Sequence, residues 1–391
     1  MRGRHLALVE NDHRKLVILN QAVNYLTIGL ANAFCHRFDS VTLLTGNLHV
    51  QGEPPNPKIK VHYICQWHER PAWRKAVSYV FGLLQIWFLL WTKYRKHEVL
   101  FVSVPPMGYL LNLVVRNRFS MVIWDLYPDT LKIAGMSERH PIYRTWSWLN
   151  RRSFRSAFRM YTISETLADA ISAYVPRERL IVHPIWAVFP DNSRIPPQEN
   201  LFIKEHDLDG KFIVQYSGNI GLTHNVEFLI ELADKLQSEP DVLFQIIGRG
   251  PRLPRITQLV AERKLVNVQL LPFQSDEMFP HSLSAANLGV VILDEKVSRG
   301  SVPSKAFNLM GLGIPSLYIA GPDSQLAQYA SEFGHARCYA AGELEQAADF
   351  IRQFARNTSL QNEMSLAATR AAENFRPRNA ERFVESYFDA P

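Results

Sequence analysis

An α/β fold of two doubly wound, parallel-sheet domains is predicted for this chain by three observations. Short apolar, β-branched runs without clear alternation recur along it, as strands covered on both faces do. Helical stretches separate them, which makes a βα repeat with right-handed crossovers. One proline-rich lapse, FPDNSRIPPQEN at 189–200, divides the 391 residues into two such series, and that length suits two domains at roughly 150 residues each.

In the first series the expected strands are 5–10, 41–46, 61–65, 99–104, 121–126, 160–164 and 180–184, with helices at 16–38, 72–97 and 141–158. The second series has strands at 212–216, 243–247, 268–273, 288–293 and 315–320, with helices at 225–237, 253–264 and 304–312. From Leu344 the chain is helical again, through 377–388. The domain limits that follow are 1–190, a hinge at 191–203, a second domain at 204–376, and a C-terminal helix at 377–391 returning toward the first domain. Open α/β sheets bind at the carboxyl ends of their strands, so a ligand is expected in the cleft between the domains.

Composition narrows the classes. Apolar residues are 47% and charged residues 20%, which rules out disorder on a large scale. Lys plus Arg exceed Asp plus Glu by only six, and no run of five basic residues occurs, so nucleic acid is not the expected partner. Cys35, Cys65 and Cys338 are odd in number and form no C-x-x-C, which excludes a disulfide framework and a zinc knuckle and points to a reducing, cytoplasmic compartment. No secretory leader pattern opens the chain. The longest apolar run, VSYVFGLLQIWFLLW at 77–91, has 15 residues, short of the roughly 20 that span a bilayer.

The chemistry-bearing signals sit at strand ends. Tyr216-Ser217-Gly218-Asn219-Ile220-Gly221 follows a strand and precedes a helix, where glycines let backbone N–H groups approach a phosphate. The plainer reading is a tight turn that needs glycine for its conformation. It is neither G-x-G-x-x-G nor a Walker loop, so neither a nicotinamide site nor a P-loop follows. Gly248-Arg249-Gly250-Pro251 and Pro272-Phe273-Gln274 close the next two strands, giving three successive loops suited to a nucleotide's phosphates, ribose and base. Arg299-Gly300-Ser301-Val302-Pro303-Ser304-Lys305 then leads into a helix with Ser304 as the expected N-cap. Lys305 in the first turn opposes the helix dipole, which an anion there would relieve; a solvated surface lysine is the alternative.

The order YSGNIG, IIGRGP, LLPF, VPSKAFNLMGLGIP resembles the donor half of GT-B glycosyltransferases, specifically the retaining family 4 enzymes of bacterial polysaccharide assembly. Trp124-Asp125-Leu126-Tyr127-Pro128-Asp129 and Tyr161-Thr162-Ile163-Ser164-Glu165 resemble that family's acceptor half. The resemblance implies two Rossmann-like domains facing across a cleft. It also implies a nucleotide-sugar donor, UDP first among candidates, and same-face attack without a protein nucleophile. Gly218, Asn219 and Gly221 would line the donor diphosphate, with His224 beside them. Gly248, Arg249 and Gly250 would border the base, next to Pro272 and Phe273. Ser304 and Lys305 would face the diphosphate, and Asn308 would stand at the ribose. Two glutamates of the family pattern are replaced here by Gly300 and Asn308, and its basic pair after the first glycine turn by Leu222-Thr223-His224.

Lys305, Arg299 and the glycine turn could stabilise a leaving diphosphate without a metal. Asp207-Leu208-Asp209, followed by Gly210, reads as a turn and not a cation site; no metal or other cofactor is expected. Asp125 and Asp129, expected to end a strand, could orient or deprotonate an acceptor hydroxyl; Asp129 could equally cap a helix. Asn11 and His13 follow the first expected strand and could touch the acceptor.

The helix at 72–97 is apolar nearly all round between cationic flanks, and rich in aromatics such as Trp87 and Trp91. It is either a buried core helix or a monotopic surface helix. Arg144, Trp148, Arg151, Arg152, Arg155 and Arg159 recur at mostly helical steps in a segment without acids, which favours anionic headgroups or a lipid diphosphate. The expectation is a cytoplasmic transferase attached to the membrane surface, acting on a saccharide carried by polyprenyl diphosphate. The alternatives are a nucleotide-sugar epimerase on the same fold and a non-catalytic, sugar-nucleotide-binding scaffold.

Overall fold

The computed structural model describes residues 14–68, 72–189, 194–221, 224–297 and 301–389. The strand expected at 5–10 lies outside them. The chain divides into two compact units, the first comprising Met1–Val122, Ser156–Arg159 and Val384–Pro391, the second Ile123–Arg155 and Met160–Phe383.

In the first unit, parallel strands lie in the order Lys60–Tyr63, Ser40–Thr45, Lys15–Leu19, Glu98–Val102, Phe119–Ile123. Lys15–Leu19 corrects the expected helix at 16–38. Leu16, Val17, Ile18 and Leu19 are fully buried between two neighbouring strands, so this run is the sheet's centre and not a helix start. The helix is shortened to Tyr25–Phe34, and Asn24 caps it by accepting from the Thr27 N–H. Among its described positions, helix Ala72–Trp91 buries only the line Ser78, Gly82, Ile86 and Leu90, at steps of four. The last residues of the chain complete this unit. The Tyr387 hydroxyl donates to Glu98 at 2.6 Å, Arg14 pairs with the same carboxylate at 2.6 Å, and the Tyr387 ring stands edge-on to Phe34.

The second unit carries a six-stranded parallel sheet in the order Val268–Leu271, Val242–Arg249, Phe212–Asn219, Leu288–Ile292, Ser316–Ile319, Ala336–Tyr339, besides the parallel pair Met160–Thr162 and Leu180–Val182. Strand Ala336–Tyr339 was not expected. Strand order reverses beside Phe212–Asn219, and that reversal is where an open α/β sheet opens a crevice. Two strands run further than expected, to Asn219 and Arg249, because Gly218 pairs with Gly248 in register. Val214, Tyr216, Phe244, Ile246, Val290 and Leu317 fill the core beneath, under helices Glu227–Lys235 and Leu344–Arg356.

Compactness does not divide the chain at 191–203. Residues before that stretch are tied into the second unit: the Val188 N–H donates to Asn308 Oδ1 at 2.9 Å, and the Ala187 N–H to the Phe375 carbonyl at 3.1 Å. The expected hinge is structured from 194 on. Arg194 donates to the Ser284 and Ala286 carbonyls, and Asn200 caps helix Leu201–Glu205. Phe202 of that helix is core, packed with Ile213 and Ile247.

Candidate functional site

The paired strand ends of the second unit leave no room for side chains. Gly218 has φ +137° and Gly248 φ +154°, and a Cβ on Gly248 would fall 1.9 Å from the Gly218 carbonyl oxygen. A Cβ on Gly218 would in turn meet Lys305 Cε at 2.5 Å. The glycines therefore do more than turn the chain: they let two backbones and one lysine converge.

Lys305 opens helix Lys305–Gly311. Its Nζ donates to the Tyr216 hydroxyl at 2.6 Å and lies 3.9 Å from that ring's centroid. Tyr216 passes the contact on, its hydroxyl donating to the Asn219 carbonyl at 2.6 Å. No carboxylate pairs with Lys305 among the described residues. Burial without an anion pulls its pKa down to about 7. His224 completes the cluster, held neutral by burial first and then by the nearby Lys305 and Arg252 charges, with its pKa lowered to about 3. Arg252 itself is spent on Glu227 at 2.7 Å.

Asn308 is buried, and its Oδ1 is committed to the Val188 N–H. With Gln215, Ser217 and Lys305 it lines a cavity of about 20 Å³. Ser304 stands before the helix but makes no side-chain cap, since its own backbone is already helical, with φ −60° and ψ −19°; the expected N-cap is corrected on that point. At the neighbouring strand ends, the Arg249 guanidinium sits over the Phe273 ring at 5.3 Å, beside exposed Pro272. Gly250 abuts the Ile220 carbonyl, where a Cβ would come within 2.0 Å, and Gly221 packs against the Asn219 and His224 side chains.

The Asp125 and Asp129 expectation needs a correction of place. Their strand ends at Ile123, and both carboxylates lie beyond it. Asp125 is enclosed, which pushes its pKa above the usual carboxylate range, while a hydrogen bond from the Ser301 side chain works the other way. Asp129 is occupied: it accepts from the Tyr143 and Tyr174 hydroxyls and pairs with Lys132 at 2.9 Å. Arg299, Gly300, Asn11 and His13 lie outside the described residues. Asp207 and Gly210 have φ +50° and +75°, a turn. Among the described residues, no group of three His, Cys, Asp or Glu could hold a metal ion.

Two features were not anticipated. Tyr216, which opens the glycine motif but was given no role of its own, is the residue that joins the glycine turn to Lys305. Gln215, Gln245 and Gln269 lie side by side across three strands and bond to one another at 3.1 and 2.7 Å. The only sequence signal was a polar residue at the same depth of each strand.

The surface residues fall as follows. Trp73, Val77, Val80, Phe81, Leu84, Trp87, Phe88 and Trp91 form one outward stripe of helix Ala72–Trp91, each 41% to 63% exposed. The helix is thus neither buried all round nor apolar on its inner face alone. No helix among the described residues is long and apolar enough to cross a membrane. On helix Pro141–Ser156, Arg144, Trp148, Arg151, Arg152 and Arg155 are all exposed, and Arg151 also lies over the Tyr174 ring at 5.5 Å. Arg159 is past the helix end and donates to the Asp389 carbonyl, so it leaves that face.

Residues 198–371 match the family described as "Glycosyl transferases group 1". The chain is 28% identical over 227 residues to the putative colanic acid biosynthesis glycosyl transferase WcaI of Escherichia coli K12, covering 57% of this chain and 56% of that one. It is 23% identical over 241 residues to the probable glycosyltransferase WbjE of Pseudomonas aeruginosa, covering 60% and 58%. The aligned stretch thus spans little more than half of either relative. Among solved structures, WaaG, a glycosyltransferase involved in lipopolysaccharide biosynthesis, superposes with a TM-score of 0.71 at 15% identity, over 96% of this chain and all of that one. Anabaena Alr3699/HepE in complex with UDP-glucose gives 0.69 at 13% identity, over 96% and 99%. With two Rossmann-like sheets the chain has the GT-B fold of these structures, and its residues 198–371 match the group 1 glycosyl transferases.

Proposed function

We propose that the chain is a retaining glycosyltransferase of family 4 that moves a sugar from a nucleotide diphosphate sugar, UDP-linked, to a saccharide acceptor. The observation that carries this reading is Lys305, bonded to the Tyr216 hydroxyl and without a carboxylate partner among the described residues, packed against Gly218 where that strand end meets Gly248. A cation without a counter-ion, beside strand ends where no side chain intervenes, is built for an anion. Breaking the sugar–phosphate bond adds negative charge to the diphosphate, and Lys305 is stabilised as an ammonium in proportion. No metal is needed for that step in this reading. Asp125, kept by burial from being a weak base, would take or orient the acceptor hydroxyl proton, with Ser301 holding it. The UDP assignment is supported by the solved HepE complexes with UDP and UDP-glucose, and the polysaccharide setting by WcaI.

The acceptor in this reading is carried on polyprenyl diphosphate at the inner face of the cytoplasmic membrane, with the chain attached to that surface. The exposed aromatic stripe of helix Ala72–Trp91 and the acid-free arginine face of helix Pro141–Ser156 support it.

A thermal-shift panel with UDP, GDP, ADP and CMP tests the donor site. A ligand at 100 times its Kd adds about 2.7 kcal/mol, a shift easily read. UDP alone should give it, and UDP release from a UDP-sugar should then require an acceptor. Interconversion of the sugar without acceptor would make the chain an epimerase. Silence from every nucleotide would leave the scaffold reading, which the engaged Asn308 carboxamide favours. Flotation with anionic liposomes tests the membrane part, and failure to float overturns it.

A further inference from the structure

Helix Ala72–Trp91 ends at a pocket that the transfer chemistry does not use. Leu90, Trp91, Arg95, Val115, Arg116 and Asn117 enclose about 170 Å³. Two of its polar groups are spent on backbone. The Trp91 indole N–H donates to the Val114 carbonyl at 3.1 Å, and Asn117 Nδ2 donates to the Tyr94 and His97 carbonyls at 2.9 and 2.7 Å. These bonds fix the indole and the loop that carries Arg116. What remains to face a ligand is the guanidinium pair of Arg95 and Arg116. Both are exposed, and neither has a carboxylate partner among the described residues.

The recess is cationic on one side and apolar on the other, and Trp91 belongs both to it and to the outward stripe. Guanidinium forks suit phosphate oxygens. Leu90, Val115 and the indole suit hydrocarbon. A phosphate diester with acyl chains satisfies both at once, the chains running on along Phe88 and Trp87. A free inorganic anion would leave the apolar half against water.

We propose that this pocket holds the headgroup phosphate of an anionic phospholipid and so pins the C-terminal end of the helix at the headgroup level of the bilayer. The inference rests on the membrane reading above, and it assigns that contact a defined site in place of a diffuse charge.

The test uses the full chain and vesicles of phosphatidylcholine with phosphatidylglycerol. Three variants are compared with wild type by cosedimentation. Arg95→Gln with Arg116→Gln empties the pocket. Lys204→Gln with Lys264→Gln removes the same charge from exposed positions of the other unit. Phe81→Ser with Phe88→Ser breaks the stripe and leaves the pocket intact. The arginine pair should lower partitioning roughly 30-fold, and the lysine pair far less. Inorganic phosphate, matched to chloride in ionic strength, should not displace the protein. Equal losses from the arginine and lysine pairs would overturn the pocket while leaving the membrane reading in place. Displacement by inorganic phosphate would overturn the lipid assignment. Full binding by the stripe variant, or none by wild type, would overturn the membrane reading itself. All substituted side chains are exposed, so thermal melts should be unchanged and loss of binding is not loss of fold.

Discussion

Lys305 Nζ lies 2.6 Å from the Tyr216 hydroxyl, and that hydroxyl in turn donates to the Asn219 carbonyl, so one tyrosine ties a helix start to a strand end. The pair spans 89 residues of sequence.

Tyr216→Phe keeps the ring and the packing but deletes both hydrogen bonds. Nucleotide affinity should fall about tenfold, the worth of one to one and a half kcal/mol in lost positioning. Isothermal calorimetry with UDP measures it. Unchanged affinity would separate Tyr216 from the site.

Burial holds the Lys305 pKa near 7, so above that pH the free protein's amine is mostly neutral. A bound diphosphate favours the ammonium, and binding should therefore take up a proton. Affinity should weaken as pH rises above about 7, by at most tenfold per unit. Calorimetry at pH 8 in two buffers of different ionisation enthalpy reads the uptake directly. Lys305→Arg, charged throughout, should show none. The stability sign is separate: the unfolded chain keeps this proton up to 10.5, so the contribution of Lys305 to stability rises with pH between about 7 and 10.5.

Gly248→Ala should cost at least about 2 kcal/mol, from a left-handed backbone and a methyl placed on the Gly218 carbonyl. Gly342→Ala is the control, since its Cβ meets nothing within 4 Å. Urea melts of the two variants should differ by that amount. Equal midpoints would mean that the strand ends can part to admit a Cβ.

Asp129→Asn should lower stability by about 1–2 kcal/mol, because Tyr143, Tyr174 and Lys132 all converge on the carboxylate. Any turnover should survive in proportion to folded protein. A loss of turnover at unchanged stability would return Asp129 to the chemistry.

Much of this was legible because it is periodic or local. Five of the six strands in the second unit's larger sheet stand close to where apolar runs were expected, and the exposed arginines of helix Pro141–Ser156 follow a 3.6-residue repeat. Lys15–Leu19 reads as a helix start because more apolar residues resume only two positions after LVIL, beyond Asn20-Gln21; a helix and a central strand look alike over so short a run. The extension of Phe212–Asn219 past Tyr216 escaped for another reason. Glycine argues against a strand unless a second glycine lies opposite, and the register between Gly218 and Gly248 is a property of two segments at once. The same holds for Tyr216 and Lys305. Asn308 shows the limit of reading by position: its place matched a ribose contact, but its oxygen went to the Val188 backbone.

The outward stripe of helix Ala72–Trp91 has a practical consequence for anyone handling the protein. Eight large apolar side chains facing buffer form an adhesive band, and bands of this kind drive colloidal association. The purified chain should therefore run on a sizing column as a concentration-dependent mixture. A mild detergent above its micellar threshold should collapse that mixture to a single peak, and Phe81→Ser with Phe88→Ser should do the same without any amphiphile.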